Sequence, residues 1–483
     1  MYQEKNTMNR FYIFLFIFFP VCTPAKILNV AGPGANDFWI QFLLRGKFET
    51  IEPVFPETVR EDTKSLELEW TLLIGAPNAN TTGKNLAVDR NGFIYVAGDT
   101  NRGVYRAAEI GTRDLILGKY DSLKNTIWTK QVGVAGVRLQ VADIAVDPDG
   151  NVYVTGQTNG NYANPLVGAD DMFLIKFNSA DGTEAWVRQI GVPGVRIGGG
   201  GFSILPEKIS VDTFGNSYIV GNSTGPFGGP EAGANGFMIK FDTNGNQEWV
   251  TQLSIPRGQS FPKGVAFDRI TGDIYMTGSG NANFETDTTP SIGNSDLFIL
   301  RYDGNNGNKQ FFAQLGSALR SSEGRSLSVD PSGNVFVGGN SNGDFGSGAD
   351  GTSWLGTLVK YDSFGNQQWI RQFGPISGRR KQTAIEAIVT DADGNVFTTG
   401  HSNGNVPDGT GISIGTLDVF LTKHDSSGQN RWIRQVGTPG ATISGSGIGR
   451  DRNGNLYGIG NTNHTVNGIP IRGLNEIFIV KYK

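Results

Sequence analysis

Three histidines, His401, His424 and His464, and one cysteine, Cys22, are the chain's whole stock of the side chains most used for nucleophilic and metal chemistry. A single thiol forms no internal disulfide and no Cys-based metal site. The histidines share no ligand spacing, and none has a nucleophile or a paired carboxylate beside it in sequence. The carboxylates recur more suggestively. Asp89, Asp147, Asp212, Asp268, Asp330, Asp391 and Asp451 head similar segments, two of them VDPDGN and TDADGN. A calcium loop needs several oxygens at alternating positions plus a bidentate carboxylate. Asp149 and Asp393 supply a second carboxylate, but Phe214, Ser332 and Asn453 hold that place elsewhere. A tight turn accounts for every copy: Asp first, Pro148 or Pro331 next, and Gly150 or Gly333 in the left-handed position. The first Asp then accepts the turn N–H groups. No metal and no cofactor is expected.

Two further series recur with the same period. Lys119, Lys176, Lys240, Arg301, Lys360, Lys423 and Lys481 close apolar runs such as DMFLIKF. A ring of seven cations could hold an anion. One per unit, far from any axis, reads instead as pairing with turn carboxylates of the next unit, or as stem packing. Trp70, Trp128, Trp186, Trp249, Phe311, Trp369 and Trp432 read as core wedges rather than a ligand platform. Six of them precede a Gln by three residues, Gln131 being the first, and that amide is expected to bond backbone at the edge of its unit.

The elements that carry these series are strands. The Asp motif opens a hairpin, LAVDRNGFIYVAGDT in the first copy, and recurs seven times at intervals of about 60 residues. Each period holds four strand signals, A to D: the two arms of the hairpin, the run ending in a basic residue, and the aromatic–Gln segment. The last C strand, 477–482, ends the chain with no D strand after it. Residues 68–75 (LEWTLLIG) match the D pattern, with Leu73 in place of Gln. The expected fold is all-β: a seven-bladed propeller of four-stranded antiparallel blades, closed by 68–75 pairing with 477–482. An open array would leave an unpaired edge, and exchanging one strand removes it. The pattern resembles the bacterial seven-bladed beta-propeller repeat family (SBBP type), whose units read D-x-x-G-N-x-Y-V-x-G-x-T followed by D-x-F-L-x-K. The resemblance covers about residues 66–483 and implies export or envelope association; it implies a fold more firmly than an activity.

Antiparallel connectivity puts the A–B and C–D turns at one end of every blade and the B–C and D–A loops at the other. The turns are short throughout. The loops are long and unlike, for example 101–113, 191–208, 279–295, 341–356 and 374–386. Binding is usually built on such loops. The aromatic and arginine residues Tyr105, Arg106, Tyr162, Phe202, Phe284, Trp354, Arg379 and Arg380 are therefore the candidate contacts, since these types anchor interfaces. The alternative for each is that it pins its own loop.

Ahead of the propeller, Lys5 and Arg10 precede the apolar run Phe11–Val21, too short to span a bilayer and suited to an export signal. Either Thr23-Pro24-Ala25 is a cleavage site and the signal is 1–25, or the signal ends before Cys22, which then accepts a lipid anchor. Residues 26–65 read as an extension or linker. With 41 basic and 45 acidic residues the net charge is −4, so no global basic field exists to hold nucleic acid. The A strands read LAV, IAV, ISV, VAF and LSV with no charge before the Asp, which argues against an enzyme. The expected function is an exported, non-catalytic module that binds a protein or glycan through the loop face. A hydrolase or lyase at the channel mouth, or a structural envelope scaffold, are the alternatives. The membrane enters only through the lipid anchor.

Overall fold

The computed structural model describes residues 66–105, 107–194, 200–228, 235–253, 258–281, 291–375, 381–404, 406 and 413–483. The export signal, Cys22 and the extension 26–65 lie outside the described residues.

Twenty-eight strands form seven four-stranded antiparallel sheets. In the first blade strands A to D are Thr81–Val88, Ile94–Thr100, Asp114–Tyr120 and Thr126–Val132. The next five repeat that order. In the seventh, strands A to C are Ile443–Arg450, Leu456–Thr462 and Glu476–Tyr482, and the outermost strand is Leu68–Ile74 from the other end of the chain. Its pairing runs from Leu68 opposite Tyr482 to Ile74 opposite Ile477, so the expected closure is present within one residue at each end. The A strands pack against one another around the ring and line its centre. The B and C strands, buried on both faces, fill the core, and the D strands are outermost.

Each hairpin Asp holds its turn as expected. Asp147 Oδ1 accepts from Asp149 N at 3.0 Å and Asn151 N at 2.8 Å, and Gly150 has φ 81°. In several blades the other carboxylate oxygen also takes the hydroxyl of a buried B-strand tyrosine: Tyr95 donates to Asp89 at 3.1 Å, Tyr218 to Asp212 at 3.2 Å and Tyr457 to Asp451 at 3.0 Å. The turn thereby also satisfies a phenol in the core, where an unpaired O–H would be costly.

The cation and aromatic series share one purpose. In all seven blades the basic residue of strand C stands directly opposite the aromatic residue of strand D, Lys119 opposite Trp128 in the first. In four blades both reach the same carbonyl in the C–D turn of the next blade. Lys119 Nζ and Trp128 Nε1 donate to Ser179 O at 2.9 and 3.1 Å. Lys360 and Trp369 do the same to Ser426 O, and Lys481 and Trp70 to Ser122 O across the closing seam. Lys176 and Trp186 share Thr243 O less evenly, at 3.4 and 3.1 Å, since Lys176 Nζ stands nearer the Thr243 hydroxyl at 3.0 Å. The expectation of interblade pairing holds, but the acceptor is corrected from a turn carboxylate to a backbone carbonyl. A carbonyl has two lone pairs and serves both donors. Carboxylates of the same blade join as well, as Glu69 does with Lys481 at 2.9 Å and Asp147 with Lys176 at 3.6 Å. The ammonium groups also lie over B-strand rings, Lys176 Nζ 5.0 Å from the Tyr153 centroid.

Candidate functional site

The long B–C and D–A loops stand together at one end of the blades, bridged in parallel at pairs such as Arg113 with Arg138 and Trp354 with Gln382. The glutamine series holds them. Gln131 Oε1 accepts from Val104 N at 2.8 Å, Gln189 from Tyr162 N at 2.9 Å, Gln252 from Phe227 N at 2.9 Å, Gln372 from Phe345 N at 2.8 Å and Gln435 from Val406 N at 3.0 Å. These amides bond loop backbone, which refines the expectation of a bond at the blade edge. On its other side the amide meets a residue that the sequence reading passed over, the first Asp of strand C. Gln131 and Gln435 Nε2 donate to Asp114 and Asp418, each at 2.7 Å. That carboxylate also accepts the N–H groups three and four residues before it: Gly111 and Ile110 for Asp114, Gly415 and Ile414 for Asp418. Glu476 takes over this position in the seventh blade. Gly133 opens the next D–A loop where a Cβ would stand 2.0 Å from Asp114 Oδ1, so the carboxylate is walled in by both loops.

The residue four before this Asp is thus fixed by its own N–H, while its side chain meets solvent. Ile110, Val167, Ile292 and Ile414 are 43–55% exposed there, a crown of apolar side chains on the loop face. Leu319 joins Ile292 through the bond from Asn294 Nδ2 to Leu319 O. It is 83% exposed with φ 62°, a conformation that Asn78, Gly136 and Gly440 adopt at the matching turns. A branched side chain in that conformation is uncommon.

The sequence-selected residues are placed as follows. Tyr105 is turned inward, its hydroxyl 3.1 Å from that of Tyr120, and burial pushes its phenol well above the ordinary range. Tyr162 packs edge-on to Phe173 and donates to Glu184 at 3.1 Å. Phe202 lies where side chains on Gly194 and Gly225 would stand. Trp354 is half-buried, and its backbone bonds Lys381 and Thr383. These four are dispersed among different loops, each against its own surroundings. Arg106, Phe284, Arg379 and Arg380 lie outside the described residues. The opposite face also carries apolar tips: Phe214 and Ile270 in A–B turns, and Leu123 and Phe364 in C–D turns, are exposed.

A second set was missed. Every A strand carries a β-bulge at one place, and the extra residue is Lys84, Ala142, Glu207, Lys263, Arg325, Glu386 or Ser446. Each stands five residues before its hairpin Asp. The expectation of uncharged A strands is therefore corrected: the charges sit one turn of the pattern earlier than LAV or IAV. The B-strand residue that pairs with the position two before each bulge residue is polar in all seven blades: Asp99, Gln157, Asn222, Ser279, Asn340, His401 and Asn461. Together they form a polar collar at the inner ends of the blades. Lys263 bridges to Glu207 of the preceding blade, and Arg325 to Glu386 of the following one at 2.7 Å. Arg325 also meets Glu323 at 3.0 Å and Asn340 at 3.1 Å. Asp99 takes both Arg113 and Lys84; burial pushes its carboxyl up against the pull of the two cations.

The reading of His401 as having no carboxylate beside it is corrected as well. Its Nδ1 is 3.6 Å from Glu386 Oε1, and burial lowers its pKa while Glu386 partly restores it. Sequence distance hid the pair, but the fixed offsets from the hairpin Asp would have found it. Among the described residues, no group of three or more His, Cys, Asp or Glu is placed to hold a metal ion.

The SBBP beta-propeller repeat matches residues 69–105, 127–163, 185–228, 248–285, 310–346, 368–406 and 431–466, and the chain belongs to this family. Each match runs from strand D of one blade to the end of strand B of the next, the same phase in which the ring closes. No curated protein matches the chain. Among solved structures it is similar to a chain of a mitotic checkpoint complex, with 10% identity over 90% of this chain and 98% of that one and a TM-score of 0.47. It is similar to a protein of unknown function from Dyadobacter fermentans DSM 18053, with 10% identity, 86% and 99% coverage and a TM-score of 0.44. A quinohemoprotein alcohol dehydrogenase from Comamonas testosteroni gives 13% identity, 87% and 77% coverage and a TM-score of 0.43.

Proposed function

We propose that the chain is an exported, non-catalytic binding module whose contact surface is the loop face. The observation that supports this most is the apolar crown of Ile110, Val167, Ile292 and Ile414, partly exposed on backbone that buried carboxylates hold in place. A surface ordered before contact loses little entropy on binding, and exposed apolar groups supply the favourable area. The partner class that fits such a crown is a protein with an apolar patch of its own. The test is affinity capture followed by a binding isotherm with the captured partner. Replacing Ile292 by Asp and Leu319 by Asn is expected to weaken binding about tenfold or more, as for interface anchors. Phe364→Asn, on the opposite face, is expected to leave it unchanged. The reverse pattern would remove the loop face from the account. Export is checked by the cell fraction and intact mass of the mature protein, which also separates cleavage after Ala25 from lipidation at Cys22.

One observation favours a second reading, an enzyme working at the channel mouth. Glu386, His401 and Arg325 bring an acid–base pair and a cation together at the collar. Turnover of any substrate that Glu386→Gln abolishes, with folding intact, would establish it over the first.

A further inference from the structure

The seven blades are an alignment of the chain with itself. At most strand positions the copies agree in type because each blade must solve the same packing problem. Hairpin Asp, B-strand aromatic, C-strand cation and D-strand aromatic recur for that reason. The bulge residues do not agree. Two carboxylates, three cations, an alanine and a serine occupy one structural position. The fold places no single demand there, so the residues are free to answer another one.

The collar's charges are balanced locally. Lys84 and Arg113 face Asp99; Lys208 faces Asp143; Lys263 faces Glu207; Arg325 lies between Glu323 and Glu386. Among the described residues the collar offers no unopposed cation cluster to a phosphate or sulfate, and no carboxylate cluster to a metal ion. The side chains are nonetheless reachable, Lys263 at 42% and Glu323 at 35% exposure. Such pairs present a charged donor beside a charged acceptor. Neighbouring hydroxyls of a sugar, each able to give and take a hydrogen bond, match that alternation. Gln140 with Gln157, Asn340 and Asn461 extend the same mixed chemistry around the ring. Phe261, half-buried two residues before Lys263 on the same strand, adds an apolar ring on which the C–H face of a sugar can lie.

We propose that the polar collar at the inner ends of the A and B strands is a binding site for a neutral polyhydroxylated ligand, the end of an uncharged saccharide chain. The assignment rests on the reading of the chain as a binding module and adds a second, chemically different site to its loop face. Charged glycans and nucleic acid are disfavoured because each collar cation among the described residues already has a counter-ion within the protein.

The test uses the full chain against neutral oligosaccharides, such as maltodextrin, cellodextrin and laminarin fragments, with heparin as the polyanionic control. Binding of a neutral fragment is expected to be almost independent of salt up to half-molar, since no ionic attraction is screened. Phe261→Ala and the paired Glu207→Ala, Lys263→Ala variant are each expected to weaken it about tenfold, the loss of one stacking or charge-assisted contact. Glu207→Gln with Lys263→Gln keeps hydrogen bonding without charge and guards against a folding defect; it is expected to retain most of the binding. The Ile292→Asp, Leu319→Asn variant is expected to bind the saccharide as the parent does. No binding of any neutral fragment by the folded protein, or binding that the collar variants leave intact, overturns the proposal. So does heparin binding that falls steeply with salt. If the saccharide fails while the loop-face partner still binds, the collar assignment falls and the loop-face reading stands. If the loop-face partner fails while the saccharide binds, the converse holds.

Discussion

Single residues in this chain do recognisable work because each recurs or conspicuously fails to. His424 stands where the other blades place Tyr120, Phe177, Phe241, Tyr302, Tyr361 and Tyr482. It is 3% exposed, stacked on Phe373 at 5.7 Å, and bonded to Thr422 and Asn430. Burial, aided by Arg371, pushes its pKa down to about 4 from 6.5. The imidazole stays neutral in the folded chain while the unfolded chain takes up a proton below pH 6.5. Stability is therefore full above that pH and falls as the pH drops toward 4, by up to about 3 kcal/mol. Urea midpoints measured across this window are expected to decline in the parent and to decline less in His424→Phe. A second residue-scale prediction concerns the interblade joint. Gly182 has φ 67°, and a Cβ there would stand 2.8 Å from the Trp128 ring of the preceding blade. Gly182→Ala combines backbone strain with overpacking and is expected to cost about 1–3 kcal/mol in denaturant unfolding. At this scale the hairpin aspartates were readable because turn chemistry is local. The acceptor of the lysines and tryptophans was not, because Ser179 lies 60 residues from Lys119 and a backbone carbonyl leaves no mark in the sequence pattern.

At the scale of elements, the strand Leu68–Ile74 decides whether the ring is closed. Backbone pairing holds it, with Trp70 on Ser122 O, Glu69 on Lys481 and Lys483, and Asn467 on Thr71. A chain beginning at Leu66 is expected to melt as the parent propeller does. A chain beginning at Ala76 leaves Glu476–Tyr482 as an uncovered hydrophobic edge. It is expected to lose the cooperative transition or to associate on a sizing column, and identical behaviour of the two chains would contradict the closure. Strand number, order and closure were all legible, since alternation and turn residues repeat seven times and each repetition corrects the others. The bulge in strand A was not, because it changes register without changing the alternation that marks a strand.

At the scale of the whole molecule, the join between the two ends is the one blade connection that the chain does not make covalently. Glu67 and Lys483 already exchange backbone hydrogen bonds at 3.2 and 3.0 Å. A short turn linking them, with new termini opened in the D–A loop at Ser317, is expected to give a permutant that folds and melts within a few degrees of the parent. Loss of folding would mean that the native seam has a role beyond pairing an edge. The ring also explains why both faces and the channel must be weighed separately. Loops are pinned on one face by Gln131 and its counterparts, apolar turn tips mark the other, and the collar lies between the inner strands.

Sequence alone determined the blade count, the strand order, the borrowed strand and the face on which unlike loops gather. Those follow from periodicity and antiparallel connectivity, which are properties of the chain's order. Tertiary structure decided which loop residues point inward, as Tyr105 and Tyr162 do, and which charges meet across blades, as Glu207 with Lys263 and Glu386 with Arg325 do. Such meetings join residues some 60 positions apart, and only the curvature of the ring brings them within bonding distance.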